Sequence, residues 1–230
     1  MVAITRSMLP GGARENRLRG WGVDLYLFDF DQTLYAYDFR RRLPALAELT
    51  GSTQYTIASR WWAAGHEKRA DAGGYATVEA YLSAWREAVG VELTVEAYQR
   101  SRAASITRSE SAMDALRHAD EIGTAALLSN NNILFRTSLP VLAPDVVEVL
   151  GEHRLLVSGE LGVMKPAAAI FEQALDRFGA KPSDALFLDD NAANVAGARR
   201  LGLSAFLVPS VDGVPDGVAM RRAIDAFAAR

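Results

Sequence analysis

The segment VDLYLFDFDQTL, residues 23–34, joins a short apolar run to two closely spaced aspartates. The run covers residues 23–28 and is broken only by Asp24, which suits a strand buried on both faces of a parallel sheet. Asp29 and Asp31 follow two positions apart, so their side chains can point to the same side of an extended chain. The segment predicts a buried strand with a pair of carboxylates at its carboxyl end.

Later parts of the chain repeat this alternation of short apolar runs and helical patterns. The further runs cover residues 124–128, 155–157, 185–188 and 203–208. Strands that alternate with helices predict an α/β fold, with a doubly wound parallel sheet. Ligands bind beyond the carboxyl ends of the strands in such sheets, and Asp29, Ser129 and the pair Asp189 and Asp190 fall there.

Several residues mark where the helices between these strands begin and end. Pro166 suits the first position of a helix, and Asn191 suits the N-cap of the next one. Ser111 with Asp114 resembles a capping box ahead of a helix that Gly123 ends.

The alternation stops between Tyr35 and about Ser109, where the patterns predict helices only. These helices are expected at 43–49, 54–64, 78–89 and 95–104, the third of them capped by Thr77. We therefore predict a catalytic α/β core at 23–35 and 110–230, with a helical cap inserted at 36–109. Such a cap can form a lid over the site.

The first 22 residues carry four arginines against one acidic residue and lack the apolar stretch of a secretory signal. They are interpreted as a flexible basic leader. An organelle transit peptide and a partner-binding arm are the alternatives.

The composition limits the kinds of protein that this chain can be. Half of its 230 residues are apolar and its mean hydropathy is near zero, which indicates a soluble chain able to bury a core. The absence of cysteine excludes disulfides and thiolate metal sites and suits a reducing cytoplasm. A formal net charge of −3 indicates no nucleic-acid partner, and no apolar run is long enough for a membrane span. We expect a monomer or a homodimer.

Four short motifs combine the ends of apolar runs with the polar groups that phosphoryl transfer needs. They are DFDQT at 29–33, LLSNNN at 127–132, GVMKP at 162–166 and LFLDDN at 186–191. In this order they resemble the signature motifs of the haloacid dehalogenase-like hydrolase superfamily, most of whose members are magnesium-dependent phosphatases. The resemblance covers residues 23 to about 208. It is greatest to the helical-cap branch that contains bacterial α-glucose-1-phosphate phosphatases and the phosphatase half of epoxide hydrolases.

The resemblance implies a role for each aspartate of the first motif. Asp29 matches the nucleophile that attacks phosphorus and forms an aspartyl-phosphate. Asp31 matches the general acid that protonates the leaving oxygen and then activates water. A carbon–halogen hydrolase needs no proton for its halide, so Asp31 favours phosphate esters over haloacids. The alternative for this pair is a solvated acidic turn.

The other motifs imply groups that hold a phosphoryl group and a metal ion. Ser129 and Asn130 match donors to phosphoryl oxygens, although a serine after a strand is often only a turn residue, and Asn131 is the weaker candidate. Lys165 matches the cation that neutralises the phosphoryl group or Asp29.

The resemblance also implies a Mg²⁺ ion, which prefers oxygen ligands. The carboxylate of Asp29, the backbone carbonyl of Asp31 and Asp190 would hold it, with Asp189 ligating directly or through water. Asn194 is four residues beyond Asp190, and the family often has aspartate there, which leaves its role open.

The cap contributes one predicted substrate contact. His66 and Glu67 directly follow Gly65, where the chain can turn towards the cleft, and His66 is the candidate that reaches the leaving group. Trp61 and Trp62 are interpreted mainly as cap packing.

The sequence thus predicts a Mg²⁺-dependent phosphatase of small phosphomonoesters, such as a sugar phosphate or similar metabolite. Nucleotidase, sugar-phosphate mutase and haloacid dehalogenase chemistry stay open, as does a non-catalytic relative that binds a partner.

Overall fold

The computed structural model describes residues 24–230; the predicted leader at 1–22 and residue Val23 lie outside that range. The strands in chain order are β1 (Leu25–Phe28), β2 (Tyr35–Tyr37), β3 (Ile106–Arg108), β4 (Thr124–Ser129), β5 (Leu155–Val157), β6 (Ala185–Asp189), β7 (Ser204–Leu207), β8 (Ser210–Val211) and β9 (Val214–Pro215).

The helices begin with those of the inserted segment. They are α1 (Phe39–Thr50), α2 (Gln54–Ile57), α3 (His66–Asp71), α4 (Val78–Val89), α5 (Val95–Ser105), α6 (Glu110–Ile122), α7 (Ile133–Leu142), α8 (Pro144–Leu150), α9 (Ser158–Leu161), α10 (Ala168–Phe178), α11 (Ala192–Arg200) and α12 (Gly217–Ala228). A π-helical turn, Ala58–Ala63, continues α2, and short 3₁₀ turns lie at Glu152–Arg154 and Pro182–Asp184.

The central sheet has the strand order β5-β4-β1-β6-β7, and every neighbouring pair in it is parallel. Alternate residues of β1 enter two separate apolar clusters, because successive side chains of a strand point to opposite faces. Tyr26 and Phe28 pack in the cluster that contains residues of α6 and α12, and Leu25 and Leu27 pack with residues of α10. Helices therefore cover both faces, which confirms the α/β fold with a doubly wound parallel sheet.

The helices α1 to α5 with the π-helical turn lie between β2 and β3, and we call this segment the cap. β2 and β3 pair antiparallel and form a short ribbon where the chain enters and leaves the cap. The sequence patterns, which predict helices only, missed this ribbon because each strand has three residues. The predicted helix at 78–89 is confirmed with Thr77 as its N-cap. The single helix predicted at 54–64 is in fact divided between α2 and the π-helical turn.

Two other helix boundaries differ from the prediction. Ser109, not Ser111, caps α6, because its hydroxyl accepts a hydrogen bond from the backbone N–H of Ala112. Pro166 lies in a turn two residues before α10, whose N-cap is Ala167. Asn191 does cap α11, where its side chain accepts hydrogen bonds from two backbone N–H groups. Among residues 24–230, no helix has the length and apolar character required to cross a membrane.

Candidate active site

Three neighbouring strands bring their polar carboxyl ends together at one edge of the sheet. Asp29 directly follows β1, Ser129 ends β4 and Asp189 ends β6. Because β1 lies between the other two strands, these residues from distant parts of the sequence become neighbours. The backbone N–H of Asp29 donates to the carbonyl of Leu188 at 3.0 Å, which continues the β1–β6 pairing to the site.

Lys165 is the centre of this group of polar side chains. Its ammonium nitrogen lies 2.8 Å from Asp29 Oδ1 and 2.7 Å from Asp189 Oδ2, and it donates to the carbonyl of Leu128 at 2.7 Å. The Lys165 side chain is fully buried, so its charge is compensated by these three oxygens rather than by water.

Asn130 and Gly197 fix the backbone that carries Lys165. The Asn130 amide donates to the carbonyl of Lys165 and accepts from its backbone N–H, both at 2.9 Å. Gly197 of α11 permits close packing on the same turn, since a Cβ atom there would lie 2.7 Å from the carbonyl oxygen of Pro166. The lysine is thus held by its backbone as well as by its charge.

Asp189 and Asp190 are adjacent but have different surroundings. Asp189 is fully buried, and its oxygens accept hydrogen bonds from Lys165, the backbone N–H of Asn191 and the Asn194 amide. Asp190 is exposed. One carboxylate oxygen from each of Asp29, Asp189 and Asp190 lies within 4.8 Å of the others. Such a set of hard oxygen donors fits Mg²⁺, and Asp190 is the member open to a ligand.

The acidity of these groups follows from the crowding of charge. Burial raises the pKa of Asp29 to about 7, Lys165 opposes this rise, and the charge of Asp189 adds to it. Burial and the charge of Asp189 raise the pKa of Asp190 to about 6. The pKa of Lys165 is also raised, because the two carboxylates outweigh the effect of burial. One ammonium therefore neutralises only part of the negative charge in the group.

Asp31 is held by two donors that come from different parts of the molecule. Arg102 Nη2 of the cap helix α5 lies 2.9 and 3.0 Å from the two carboxylate oxygens. The Asn131 amide donates to Asp31 Oδ2 and to Ser129 Oγ, both at 3.1 Å. Gln32, the next residue, has a left-handed backbone with φ of 59°, and its side chain bonds both backbone groups of Tyr37. The loop after β1 is thereby tied to the cap entrance.

A cleft of about 590 Å³ lies between the cap and the core. Its lining includes Asp31, Asn130 and Asn131 of the core and Tyr37, Phe39, Arg42, Trp62, Glu67, Lys68, Asp71 and Arg102. We call it the cap–core cleft. Its cap side combines aromatic rings with charges of both signs, so it can contact both the apolar faces and the polar groups of a small molecule.

Glu67 joins the cap interior to the core. It accepts hydrogen bonds from Trp61 at 2.6 Å, Tyr81 at 2.9 Å and Arg42 at 3.2 Å. The amide of Asn132, which caps α7 of the core, approaches the same carboxylate at 3.4 Å. Four donors therefore satisfy this buried carboxylate.

His66 does not occupy the predicted place. Within residues 24–230 it lines a different cleft on the cap, together with Arg69, Tyr75 and residues of α4. Its ring stacks on Trp61 with centroids 5.0 Å apart, and its Nδ1 lies 2.6 Å from the Tyr75 hydroxyl. The expectation that His66 reaches the leaving group is corrected, because the ring stacks on Trp61 and lines this second cleft, not the cap–core cleft. Glu67, the next residue, faces the cap–core cleft instead.

The structure brings together Asp29, Lys165, Asp189 and Asp190 around one centre. Asn130 supports that centre from the backbone side, and Asn131 connects Ser129 to Asp31. Sequence reasoning missed Arg102 because its partner lies 71 residues away and a single arginine in a cap helix has no distinguishing pattern. It also ranked Asn131 below Asn130, whereas the Asn131 side chain contacts two predicted site residues.

Comparison with known families shows a match over most of the chain. The family model for haloacid dehalogenase-like hydrolases matches residues 23–202. Among curated proteins, bifunctional epoxide hydrolase 2 of Rattus norvegicus is 33% identical over 87 residues, which are 37% of this chain and 16% of that protein. The chain therefore corresponds to only a small part of that relative.

Solved structures with the same fold include enzymes of two kinds. A HAD family enzyme from Bacteroides thetaiotaomicron, solved with magnesium and inorganic phosphate, superposes with a TM-score of 0.70 and 20% identity, covering 83% of this chain and 96% of that one. A 2-haloacid dehalogenase from Pseudomonas syringae superposes with a TM-score of 0.59 and 19% identity, covering 83% and 90%. At these identities the likeness shows the shared fold alone.

Proposed function

This chain belongs to the haloacid dehalogenase-like hydrolase family, and from that premise we propose that it is a Mg²⁺-dependent phosphatase of small phosphomonoesters. The observation that carries the proposal is the convergence of Asp29, Lys165 and Asp190 at the carboxyl ends of the strands, with Asp31 at the adjoining cleft. This set contains a nucleophile, a cation, a metal ligand and a second carboxylate for proton transfer.

Asp29 is the proposed nucleophile. Lys165 holds its Oδ1, which leaves Oδ2 to attack phosphorus. The P–O bond to the leaving alcohol then breaks, and an aspartyl-phosphate forms. Lys165 also supplies positive charge near the oxygens of the transferred group, where charge develops in the transition state.

Asp31 is the proposed proton carrier. It gives a proton to the leaving oxygen in the first step and takes one from the water that hydrolyses the aspartyl-phosphate in the second. The water oxygen ends on inorganic phosphate, and both aspartates return to their starting state. Asn131 orients Asp31 from the core side.

The metal would be held by carboxylate and carbonyl oxygens that follow β1 and β6. These are the carboxylates of Asp29 and Asp190 and the backbone carbonyl of Asp31, while Asp189 anchors Lys165 and Asn194 from its buried position. When bound, Mg²⁺ neutralises phosphoryl oxygens and lets the carboxylates stay ionised side by side.

The cap–core cleft favours a small polar leaving group. Its volume of about 590 Å³ suits a metabolite rather than a macromolecule, and its mixed aromatic and charged wall suits a hydroxylated molecule. A sugar phosphate or similar metabolite is the proposed substrate. The absence of cysteine is consistent with a cytoplasmic enzyme. Whether it is a monomer or a homodimer stays a prediction that sedimentation would check.

The test is hydrolysis of an aryl phosphate by the purified protein, with and without Mg²⁺, followed by a panel of phosphometabolites. We expect phosphate release that requires Mg²⁺ and that Asp29→Asn abolishes. A 2-haloacid is assayed in parallel, because solved dehalogenases share the fold. Halide release without phosphatase activity would overturn the proposal, and full phosphatase activity after exhaustive chelation would overturn its metal dependence.

A further inference from the structure

Arg102 connects the cap to the loop that carries the proposed proton carrier. It lies on α5, near the point where the chain leaves the cap, and its side chain is 1% exposed. One of its terminal nitrogens, Nη2, approaches both oxygens of Asp31, at 2.9 and 3.0 Å. Among the charged residues of the cap, Arg102 is the nearest neighbour of Asp31. The Asp31 side chain stays one quarter exposed, on the side of the cleft.

The surroundings of Arg102 fix its guanidinium in this position. Its Cζ lies 4.9 Å from the ring centroid of Tyr37, at the cap entrance, and 4.8 Å from that of Phe135 on α7 of the core. A guanidinium between two aromatic faces gains cation–π attraction and has little freedom to turn. Arg102 is thus a cap residue whose side chain is inserted between the entrance ribbon and the core.

One polar atom of the Arg102 guanidinium is not satisfied by the described part of the protein. The Nε atom of Arg102 is buried and has no hydrogen-bond partner among residues 24–230. A buried donor without a protein partner calls for a physical explanation. The same guanidinium directs Nη2 at both oxygens of Asp31.

We propose that Arg102 is a positioning residue that orients the Asp31 carboxylate for proton transfer. Asn131 holds Oδ2 of Asp31 from the core, and Arg102 holds both oxygens from the cap. Without Arg102, Asp31 keeps, within residues 24–230, only the contact that Asn131 supplies from the core. This inference rests on the proposed phosphatase function and adds to it a part for the cap in the bond-breaking step.

The competing role for Arg102 is direct binding of an anionic substrate group. The two roles differ in whether the loss of activity on removal of Arg102 depends on the presence of Asp31. A residue that acts through Asp31 has nothing to orient once Asp31 is replaced, so its removal costs little in that background. If Arg102 instead binds the substrate, its removal lowers activity by the same factor in both backgrounds.

The experiment compares Arg102→Met in the wild-type and Asp31→Asn proteins, with Arg100→Met as the matched control. Arg100 is an exposed residue of the same helix, so its replacement repeats the chemical change away from the cleft. The substrate is an aryl phosphate with a good leaving group, whose departure does not need the proton from Asp31. With it kcat reports hydrolysis of the aspartyl-phosphate, in which Asp31 takes a proton from water, and kcat is measured together with KM and the rate of enzyme phosphorylation. Arg102→Lys keeps a positive charge between the rings and replaces Arg102→Met if the latter does not fold.

We expect Arg102→Met to lower kcat about 10-fold to 100-fold, with KM changed less than about threefold, since general acid–base catalysis contributes roughly 10²-fold to 10⁴-fold. In the Asp31→Asn background the same change should cost less than about threefold. Arg100→Met should behave as the wild type. Equal losses in both backgrounds, or a rise of KM with unchanged kcat, would overturn the positioning role.

A second measurement does not depend on activity. The thermal unfolding of Arg102→Met, Asp31→Asn and the double variant reports whether the two side chains interact. A double variant with a smaller loss of Tm than the sum of the single losses supports the contact, and additive losses overturn the inference. If the wild-type protein hydrolyses no phosphate ester, the proposed function fails while this unfolding cycle still tests the ion pair.

Discussion

Lys165 is one ammonium that two buried carboxylates share. Asp29 and Asp189 lie 2.8 and 2.7 Å from it, so the three side chains carry a net negative charge when both acids are ionised. The raised pKa of Asp29, about 7, is the expected consequence, because one cation cannot compensate two desolvated anions. A divalent cation at Asp190 and Asp29 would restore the balance.

Replacing the proposed nucleophile should separate chemistry from stability. Asp29→Asn is nearly isosteric, and an amide is a poor nucleophile, so we expect at least a ~10³-fold loss of phosphatase activity. The loss of one charge next to Lys165 should change Tm by only a few degrees, because Asp189 stays as a partner. Activity and thermal unfolding are measured on the same preparation. Near-normal turnover with an unchanged Tm would remove Asp29 as the nucleophile.

Stabilisation by Mg²⁺ should depend on pH. Asp29 has a pKa of about 7 and Asp190 of about 6, both above the ordinary value of 3.8. A carboxyl group with a raised pKa stabilises the metal-free fold below 3.8, and that contribution is lost as the pH rises through 6 and 7. Mg²⁺ needs the ionised forms. We expect saturating Mg²⁺ to raise Tm by ~5 °C or more at pH 8 and by much less at pH 5.

The control for this measurement is Asp190→Asn, which removes the exposed carboxylate and should lose most of the increase in Tm at pH 8. An equal increase at both pH values in the wild-type protein would contradict the assignment of these acids as metal ligands.

The ribbon of β2 and β3 carries the cap, and α8 supports it. Asp145 at the start of α8 accepts a hydrogen bond from the Tyr35 hydroxyl at 2.8 Å and pairs with Arg108. Tyr35 and Arg108 are opposite each other in the ribbon, so one carboxylate binds both of its strands. Burial acts to raise the pKa of Asp145, but Arg108 and Tyr35 outweigh it and lower the pKa.

Neutralising Asp145 should weaken the attachment of the cap. Asp145→Asn keeps an acceptor for Tyr35 but loses the charge opposite Arg108, so we expect the free energy of unfolding to fall by about 1–2 kcal/mol at pH 7. A group with a lowered pKa stabilises the fold above its ordinary value of 3.8, and this contribution is lost as the pH falls below it. The difference in the free energy of unfolding between the wild type and Asp145→Asn should therefore become smaller at acid pH.

Denaturant unfolding at pH 7 and at pH 3 checks this, with Asp114→Asn as the control. Asp114 forms an exposed ion pair with Arg117 on α6, which should contribute little at either pH. If Asp114→Asn loses as much stability as Asp145→Asn, the ribbon contact contributes no more than an exposed ion pair.

At the scale of the whole molecule, the cap has two separate clefts, and different residues of α3 line them. The cap–core cleft has Lys68 and Asp71 on its wall, while His66 lines the other cleft and stacks on Trp61. Residues 66 and 68 are near neighbours in sequence and yet belong to different surfaces, because α3 presents them on different faces. Substrate selection should therefore depend on Lys68 and Asp71.

Two single substitutions should separate these surfaces. Lys68→Ala should lower kcat/KM several-fold for the preferred metabolite and leave an aryl phosphate almost unaffected, because one lost hydrogen bond is worth about 1 kcal/mol. His66→Ala should lower Tm, since it removes a ring from the stack with Trp61 and Tyr75, and should affect both substrates alike. The kinetics are compared on a metabolite panel and on the aryl phosphate. A loss confined to the metabolite in His66→Ala would return that residue to the substrate site.

The local pattern of the chain was sufficient to predict the sheet and its polar ends. Residues 155–157 form β5 as predicted, and the runs around Asp29, Ser129 and Asp189 form strands within a residue or two of their predicted bounds. Short apolar runs specify buried strands through side chains that lie within them. Parallel strands then meet at their carboxyl ends, so the convergence of Asp29, Asp189 and Asp190 follows from topology.

The contacts across the cap depended on packing between segments far apart in the chain. The approach of Arg102 to Asp31, the burial of Glu67 under four donors and the turn of His66 towards Trp61 each require a specific position of the cap on the core or of its helices on one another. The hydrophobic pattern within one helix does not predict such positions, because they depend on how side chains of different elements interdigitate. The placement of polar residues at the sheet edge was therefore predictable from local sequence, whereas the residues that reach it from the cap were decided by the fold as a whole.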